Sequence, residues 1–258
     1  MERCNLDGRR ERCGQNVRRA FERQYTAIGV TSEERTILVL RVDVPMTGLR
    51  PMWAREYQET YPAPPPSTIY GMLLSLVGVE REDRKRHAGL RIAIAMAENM
   101  QDSFWQRREK GRIFRKFRRV AQAKKNADPL ADRRPDYQEL LLGLEFWLWI
   151  DDSQANHPLC GEVRKALDPN KRGEIVRHGA LCLGESSHMV NEVTKDSPRG
   201  RGRFVAPSEK GLLSMPVWSD HNGDRPAMLN FEIREPEVLT DHPHTDCWIT
   251  VAPRDWEL

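Results

Sequence analysis

The sequence lacks several features that would place the protein in a familiar class. No apolar run approaches the roughly 20 residues that cross a bilayer, and the N-terminal residues have no apolar core of the kind that marks a secretory leader. The five cysteines are scattered and form no C-x-x-C pair, a usage typical of reduced thiols. We therefore expect a cytoplasmic protein with no membrane contact.

The chain is also poor in catalytic and cofactor motifs. It contains no Walker A loop, G-x-G-x-x-G, G-x-S-x-G or H-E-x-x-H. His242, His244 and Cys247 are residue types that bind zinc, but their spacing matches no established site and a fourth ligand is not evident, which favours a surface loop. We expect neither a metal nor an organic cofactor.

Positive charge is concentrated in one segment. The net charge of the 258 residues is only +3, yet ten basic residues and one acid between Arg107 and Lys125 give that segment +9 and leave −6 for the remainder. A concentrated basic patch is the usual footprint of a phosphate backbone. Its apolar residues lie near helical spacing, but a hairpin fits as well, and the sequence favours neither strongly.

Hydrophobic periodicity predicts alternating strands and helices. The predicted strands are Thr36–Val44, Leu90–Ala97, Leu141–Asp151 and Ala180–Leu183, and the predicted helices are Ser67–Val79 and Cys160–Leu167. This order is typical of an α+β, ferredoxin-like (RRM-like) βαββαβ core. We expect residues 1–35 to form an arginine-rich extension, and residues 36–258 one domain with a basic insertion at about 103–136 and C-terminal β-hairpins from Arg203.

The clearest helix has distinctive ends. Ser67 is predicted to be its N-cap and Gly78 its terminator. Gly71 lies inside the helix, where glycine costs about 1 kcal/mol relative to alanine, so a close approach to its backbone is expected. On the strand Leu141–Asp151 the inward residues are predicted to be Leu142, Leu144, Phe146, Leu148 and Ile150.

The segment Thr60–Gly78, TYPAPPPSTIYGMLLSLVG, carries the strongest signal. Its prolines direct an extended chain into the helix, whose first N–H groups can receive an anion. The tyrosine, the proline run, Ser-Thr and Tyr-Gly before an aliphatic helix resemble the N-terminal signature of the CRISPR-associated Cas-five family of the RAMP superfamily, and are most similar to the subtype named MYXAN. His178–Val193 resembles the family's later glycine-containing strand and loop.

The resemblance implies a function. Members of the family cap one end of the type I Cascade complex, where they hold the 5′ handle of the crRNA. A projecting thumb contacts the repeated backbone subunit, a large subunit reads the PAM, and target DNA is met only indirectly through the complex. In this sequence the thumb falls between Ala97 and Leu141, where the basic segment lies.

Three groups of residues are candidates for RNA contact. Each has an ordinary alternative as solvated loop or surface, but arginine both forks onto phosphates and stacks on bases. The loop before the helix and the helix start contribute Arg50, Trp53, Arg55, Tyr61, Ser67 and Thr68; the basic segment contributes Arg107, Arg108, Arg112, Arg115, Lys116, Arg118 and Arg119; and the later loop contributes Gly184, Ser186 and His188. Pro198–Phe204 is either a flexible Gly/Arg stretch that follows a backbone or a disordered loop.

Two other functions compete with RNA binding. A metal-independent endoribonuclease that processes pre-crRNA would use His188 as its general base, but the sequence offers no identifiable lysine partner for His188 and a tyrosine. A structural adaptor would instead place the basic segment against an acidic protein face.

The basic segment gives a direct test of RNA binding. Neutralising Arg115, Lys116, Arg118 and Arg119 together should weaken RNA binding and flatten its salt dependence, because fewer counterions would be released from the RNA. Affinity measured over a range of salt concentrations checks this expectation. Unchanged affinity and slope would remove the segment from the RNA site.

Overall fold

The computed structural model describes residues 37–54, 57–98, 111–120, 133–219 and 226–251, with side chains omitted at 117–120 and 133–134. The predicted extension at residues 1–35 therefore lies outside the described residues, as do Arg55, Arg107 and Arg108. For Arg118 and Arg119 only the backbone is described.

The described residues form one large, mostly antiparallel sheet with two α-helices. The strands are β1 (Leu38–Thr47), β2 (Tyr57–Gln58), β3 (Leu90–Ala97), β4 (Gly111–Val120), β5 (Arg133–Asp151), β6 (Glu192–Lys195), β7 (Arg201–Pro207), β8 (Leu213–Trp218), β9 (Ala227–Ile233), β10 (Glu237–Val238) and β11 (Ile249–Val251). The helices are α1 (Pro66–Val77) and α2 (Cys160–Leu167), and 3-10 turns cover Arg84–His87, Arg172–Glu174 and Thr245–Cys247. The predicted α+β class is confirmed.

The strand order is β6-β1-β5-β3-β7-β9-β8, with β10 on β7, β11 on β3, and β2 and β4 on β5. β1, β5, β3 and β6 pair antiparallel wherever they are neighbours. Along the chain α1 lies between β1 and β3, and α2 lies between β5 and β6. Within the part of the chain described, neither helix has the length and apolarity to cross a bilayer.

β5 is much longer than its predicted range, with 19 residues. Its second half lies between β1 and β3, whereas its first half pairs with β4 from Gly111↔Leu142 to Val120↔Arg133. The described stretch of the basic segment is therefore one arm of a hairpin and not a helix. The long β5 provides it with a complete ladder of backbone hydrogen bonds, which outweighs a weak helical periodicity.

The main core fills the space between the sheet and α1. Leu38, Leu40, Val42 and Val44 of β1 are all at most 1% exposed and form the inward face of that strand. They pack with the apolar stripe of α1 and with α2. A second cluster includes Trp147, Trp149 and Phe204 together with Leu239 and Cys247.

The predicted inward face of β5 is wrong at its start. Leu142 is only half-buried, whereas Leu141 and Leu144 both belong to the main core. Gly143 lies between them with φ of 61°. A residue in this left-handed region interrupts the strict alternation of strand side chains.

The predicted start of α1 is also corrected. The helix begins at Pro66, its N-cap is Pro65, and no side chain caps it, so Ser67 lies within the first turn. Proline suits the first helical position because it lacks the N–H that would have no partner there. The terminator is confirmed, since Gly78 adopts φ of 77° and its N–H bonds back to the last turn. A Cβ at Gly71 would meet no described atom within 4 Å, so the expected close approach to its backbone is absent from the described residues.

Two further segments differ from expectation. Residues 180–183 form only an isolated bridge between Cys182 and Met189, and the strand that pairs with β1 is β6, further along the chain. Pro198–Phe204 is not a flexible stretch, because β7 begins at Arg201 and pairs with both β3 and β9.

Gly71 within α1 and Gly78 directly after it provide a matched pair for stability. In Gly78→Ala the new Cβ would lie 2.3 Å from the Val176 carbonyl oxygen, in a left-handed conformation. We expect the free energy of unfolding to fall by at least about 1–2 kcal/mol. Gly71→Ala should raise it by up to about 1 kcal/mol, since an exposed helical alanine replaces glycine. Urea denaturation measures both, and equal effects would contradict this account.

Candidate nucleic-acid interface

Two adjoining cavities, each of about 790 Å³, lie where the loop after β1, the start of α1 and the loop around Gly184 converge. The first is lined by predicted residues from all three segments, namely Arg50, Trp53, Tyr61, Thr68 and Gly184, and by Met52, Pro65, Pro216 and Met228. Its walls are mainly apolar, and its charged lining residues are the exposed Arg50 and the half-buried Glu185. Such a cavity can hold a flat, unstacked ring and place a cation beside it.

The second cavity follows α1 away from its N-terminus. Ser67, Thr68, Gly184 and Ser186, all predicted, line it together with the open backbone at Gly71. Four arginines line it too, namely Arg50, Arg81, Arg84 and Arg177, together with the acids Glu80 and Glu82. A groove with hydroxyl groups, an exposed helix backbone and guanidinium groups is suited to a phosphate backbone.

Close packing of two glycines holds the cavity walls together. A Cβ at Gly184 would lie 2.5 Å from the Gly48 carbonyl oxygen, and Gly184 has φ of 86°. Beside this contact the Thr47 hydroxyl donates to the Leu183 carbonyl at 2.6 Å. Only glycine at position 184 lets the two loops approach this closely.

His188 lies behind the cavity and not on its surface. Its side chain is 2% exposed, and its Nδ1 accepts a hydrogen bond from the Gly48 N–H at 3.0 Å. Accepting at Nδ1 requires the proton of the neutral ring to be on Nε2, and this buried atom has no hydrogen-bond partner among the described residues. Burial lowers the pKa of His188, which favours the neutral ring.

The basic hairpin is attached to the loop before α1. The Glu139 carboxylate, 7% exposed, accepts from the Arg112 guanidinium at 2.8 Å and from the Thr60 N–H at 3.0 Å. The Thr60 hydroxyl in turn accepts from the Leu49 N–H at 2.7 Å. A chain of hydrogen bonds therefore joins the hairpin to a cavity wall.

A second connection joins the hairpin to the Gly184 loop. Arg115 donates to the Gln138 side-chain oxygen at 2.5 Å, and the Gln138 amide donates to Glu185 at 2.9 Å. Arg112 and Arg115, predicted to contact RNA, thus also have partners within the protein. The Lys116 ammonium lies 5.6 Å from the centroid of the Tyr137 ring.

The predicted aromatic residues differ in accessibility. Trp53 is 56% exposed, whereas Tyr61 is 5% exposed and meets the Trp53 ring edge-on at 6.0 Å between centroids. Burial raises the pKa of Tyr61 to about 12, so its hydroxyl stays protonated. Trp53 is therefore the ring that is available for stacking, and the buried Tyr61 ring packs against it.

Sequence reasoning missed several cations of the second cavity. Arg84 lies over the Trp218 ring at 5.4 Å, within a charged turn that looks like ordinary solvated surface in the sequence. Arg177 and His178 also line this cavity. They stand at the start of the segment that resembles the family's later loop. Their position beside that loop in the sequence is the one signal that could have predicted them as site residues.

The architecture is α+β, with a basic hairpin attached to a cavity. Comparisons with known proteins identify the family. The model described as "CRISPR-associated protein (Cas_Cas5)" matches residues 37–148. A "CRISPR-associated protein Cas5" of Myxococcus xanthus (strain DK1622) is 34% identical over 204 residues, which cover 73% of this chain and 86% of that protein. The chain belongs to the CRISPR-associated Cas5 family, as its sequence predicted.

A solved structure shows the same fold. A chain of a "CRISPR RNA-guided surveillance complex" matches with a TM-score of 0.52 and 15% identity, over 80% of this chain and 91% of that chain. At this identity the match concerns the fold alone.

Buried His188 gives a pH prediction. Because its pKa in the folded state is lowered from the ordinary 6.5, the stability it contributes is present above that value and is lost as the pH falls through the folded pKa. In His188→Asn the amide oxygen can still accept from Gly48 N–H but does not titrate. The variant should lose less unfolding free energy than the wild type between about pH 7.5 and pH 5.

Two features make this comparison specific. Buried His87 has a lowered pKa as well, so it contributes acid sensitivity to both proteins and cancels in the difference. His178, with a side chain 78% exposed, provides the control His178→Asn, which should leave the pH profile nearly unchanged. Identical profiles for the wild type and His188→Asn would contradict the assignment.

Proposed function

We propose that this chain is the crRNA-binding subunit of a type I CRISPR Cascade complex, where it caps the 5′ handle of the guide RNA for RNA-guided DNA recognition. Its membership of the Cas5 family and the fold it shares with a chain of a surveillance complex support this role. The observation that carries the proposal is the meeting of three distant segments at one pair of cavities.

The chemistry of these cavities suits a single-stranded RNA end. Trp53 offers an exposed ring to an unstacked base, and Arg50 lines both cavities and can reach a phosphate. Ser67 and Thr68 lie in the first turn of a helix that no side chain caps. The Thr68 N–H already donates to the Pro65 carbonyl, so the Ser67 N–H and the two hydroxyl groups are the donors suited to an anion. His188 contributes by holding the Gly48 backbone and not by touching RNA.

The basic hairpin adds charge to this site. All the charged residues of β4 are basic, and Glu139 and Gln138 connect its base to the two cavity loops. Phosphate contacts supply much of the affinity for nucleic acids without reading sequence. We infer that the cavities recognise the RNA end and that the hairpin strengthens its binding.

The order of the elements supports a ferredoxin-like core. In the series β1-α1-β3-β5-α2-β6, the sheet places the fourth strand beside the first, then the third and the second. All neighbouring pairs within it are antiparallel. We propose that this unit is the ferredoxin-like core and that the hairpin is the thumb, which would contact the backbone subunit, while the large subunit and target DNA are met in the complex.

Binding without turnover fits the position of His188. A general base must reach the 2′-hydroxyl group of the RNA, but this imidazole is buried and its Nδ1 is engaged by Gly48. We therefore favour an RNA-binding subunit over the endoribonuclease alternative.

Two cavity variants test the proposal by their different salt dependence. Arg50→Ala should weaken binding of the handle RNA and reduce the slope of log affinity against log salt by about 0.7, the value for one phosphate contact on a single strand. Trp53→Ala should weaken binding by roughly tenfold through lost stacking and leave the slope unchanged. Fluorescence anisotropy with labelled RNA measures both quantities.

The matched control is Arg199→Ala, an exposed arginine that does not line either cavity. It should leave affinity nearly unchanged. If Arg50→Ala and Trp53→Ala bound the handle RNA as tightly as Arg199→Ala does, the cavities would not be the RNA site.

A further inference from the structure

Three exposed aromatic residues of β2, β4 and β5 lie on one face of the sheet, outside both cavities. Tyr57 of β2 is the register partner of Tyr137 of β5. The ring of Phe114 of β4 stacks on the ring of Tyr57, with centroids 6.2 Å apart and 30° between the planes. The rings form a row across three strands, which we call the aromatic row.

The aromatic row is unusually exposed. Phe114 is 63% exposed, Tyr57 45% and Tyr137 43%. Isolated apolar residues are common on protein surfaces, but a contiguous group of large rings marks a binding surface. None of the three rings lines either of the two cavities, so the site described above does not account for them.

Cations lie on the same face as the rings. Lys116 is opposite Tyr137 in the β4–β5 ladder, with its ammonium 5.6 Å from the ring centroid. Arg112 precedes Phe114 by two residues and therefore points to the same side of β4.

Two acids act on this face. Glu139, 7% exposed, already accepts a hydrogen bond from Arg112. Partial burial, then Glu139 and the nearby, exposed Glu59, raise the pKa of Tyr57. With Arg112 already paired, the solvent-facing groups here are the three rings, the Lys116 ammonium and the Glu59 carboxylate.

This combination favours RNA over a protein partner. A nucleotide offers a flat base to a ring and a phosphate to a neighbouring cation, so one strand satisfies both. An apolar protein surface would cover the rings but would remove the Lys116 ammonium from water without supplying an anion. Glu139 also accepts from the N–H of Thr60, which precedes Tyr61 of the first cavity, so one buried carboxylate connects the two sites.

We propose that Tyr57, Phe114 and Tyr137 form a platform on which unpaired bases of the bound RNA stack. The inference rests on the proposed function and adds a second, base-dependent contact on the hairpin. An RNA end held in the cavities continues across the aromatic row, and its phosphates lie near Lys116.

The test compares two oligonucleotides on the full chain by fluorescence anisotropy. One is the handle RNA, and the other has the same length and charge but carries abasic ribose at every position. The double variant Phe114→Leu/Tyr137→Leu keeps apolar side chains and removes two rings. Its affinity for the handle RNA should fall roughly tenfold, with little change for the abasic strand.

The control is Ile113→Ala, a 39% exposed apolar residue on the opposite face of the same strand. It should bind both oligonucleotides as the wild type does. Equal losses on both oligonucleotides in the double variant would overturn the stacking role. Unchanged RNA affinity would overturn it too, and loss of association with another protein subunit would then assign the row to that partner.

These outcomes separate the inference from the function on which it rests. If the wild type binds handle RNA and the double variant binds it equally well, the platform fails and the proposed function stands. If the wild type binds neither oligonucleotide, both fail.

Discussion

The arrangement depends on one continuous strand. β5 has 19 residues and would span about 60 Å when fully extended. Its second half is fixed at the centre of the sheet between β1 and β3, with Phe146, Leu148 and Ile150 fully buried. Its first half is one arm of the basic hairpin, so a strand that is anchored in the core determines where that hairpin lies. Gly143, at the junction, lets opposite faces of the two halves meet the core.

The hairpin and the cavities share their supports, and this explains why buried polar residues occur at the base of the hairpin. Glu139 and Gln138 are each at most 7% exposed, yet each links a hairpin arginine to a cavity loop. Burying polar groups is costly unless their hydrogen bonds are made. Here those hydrogen bonds are made. The same two side chains also connect the basic hairpin to the cavity walls.

The sequence predicted the elements that a local pattern of residues specifies. It did not predict the elements that depend on pairing with a distant segment of the chain. Cys160–Leu167 was predicted residue for residue, and so was the strand Leu90–Ala97, because apolar periodicity specifies both. The strand form of Gly111–Val120 depends on pairing with β5, which no local window contains. The family resemblance pointed to the loops that form the cavities, but not to the burial of His188, which follows from its contact with Gly48.

Hydrogen–deuterium exchange of the chain with and without handle RNA tests the central claim most directly. The account predicts slower exchange on binding in three separate segments, residues 48–54, 61–70 and 183–188, and along β4. Strands remote from the cavities, such as β6, should exchange at unchanged rates. Protection confined to other parts of the chain, or no protection by an RNA that binds, would contradict the claim that these loops hold the RNA end.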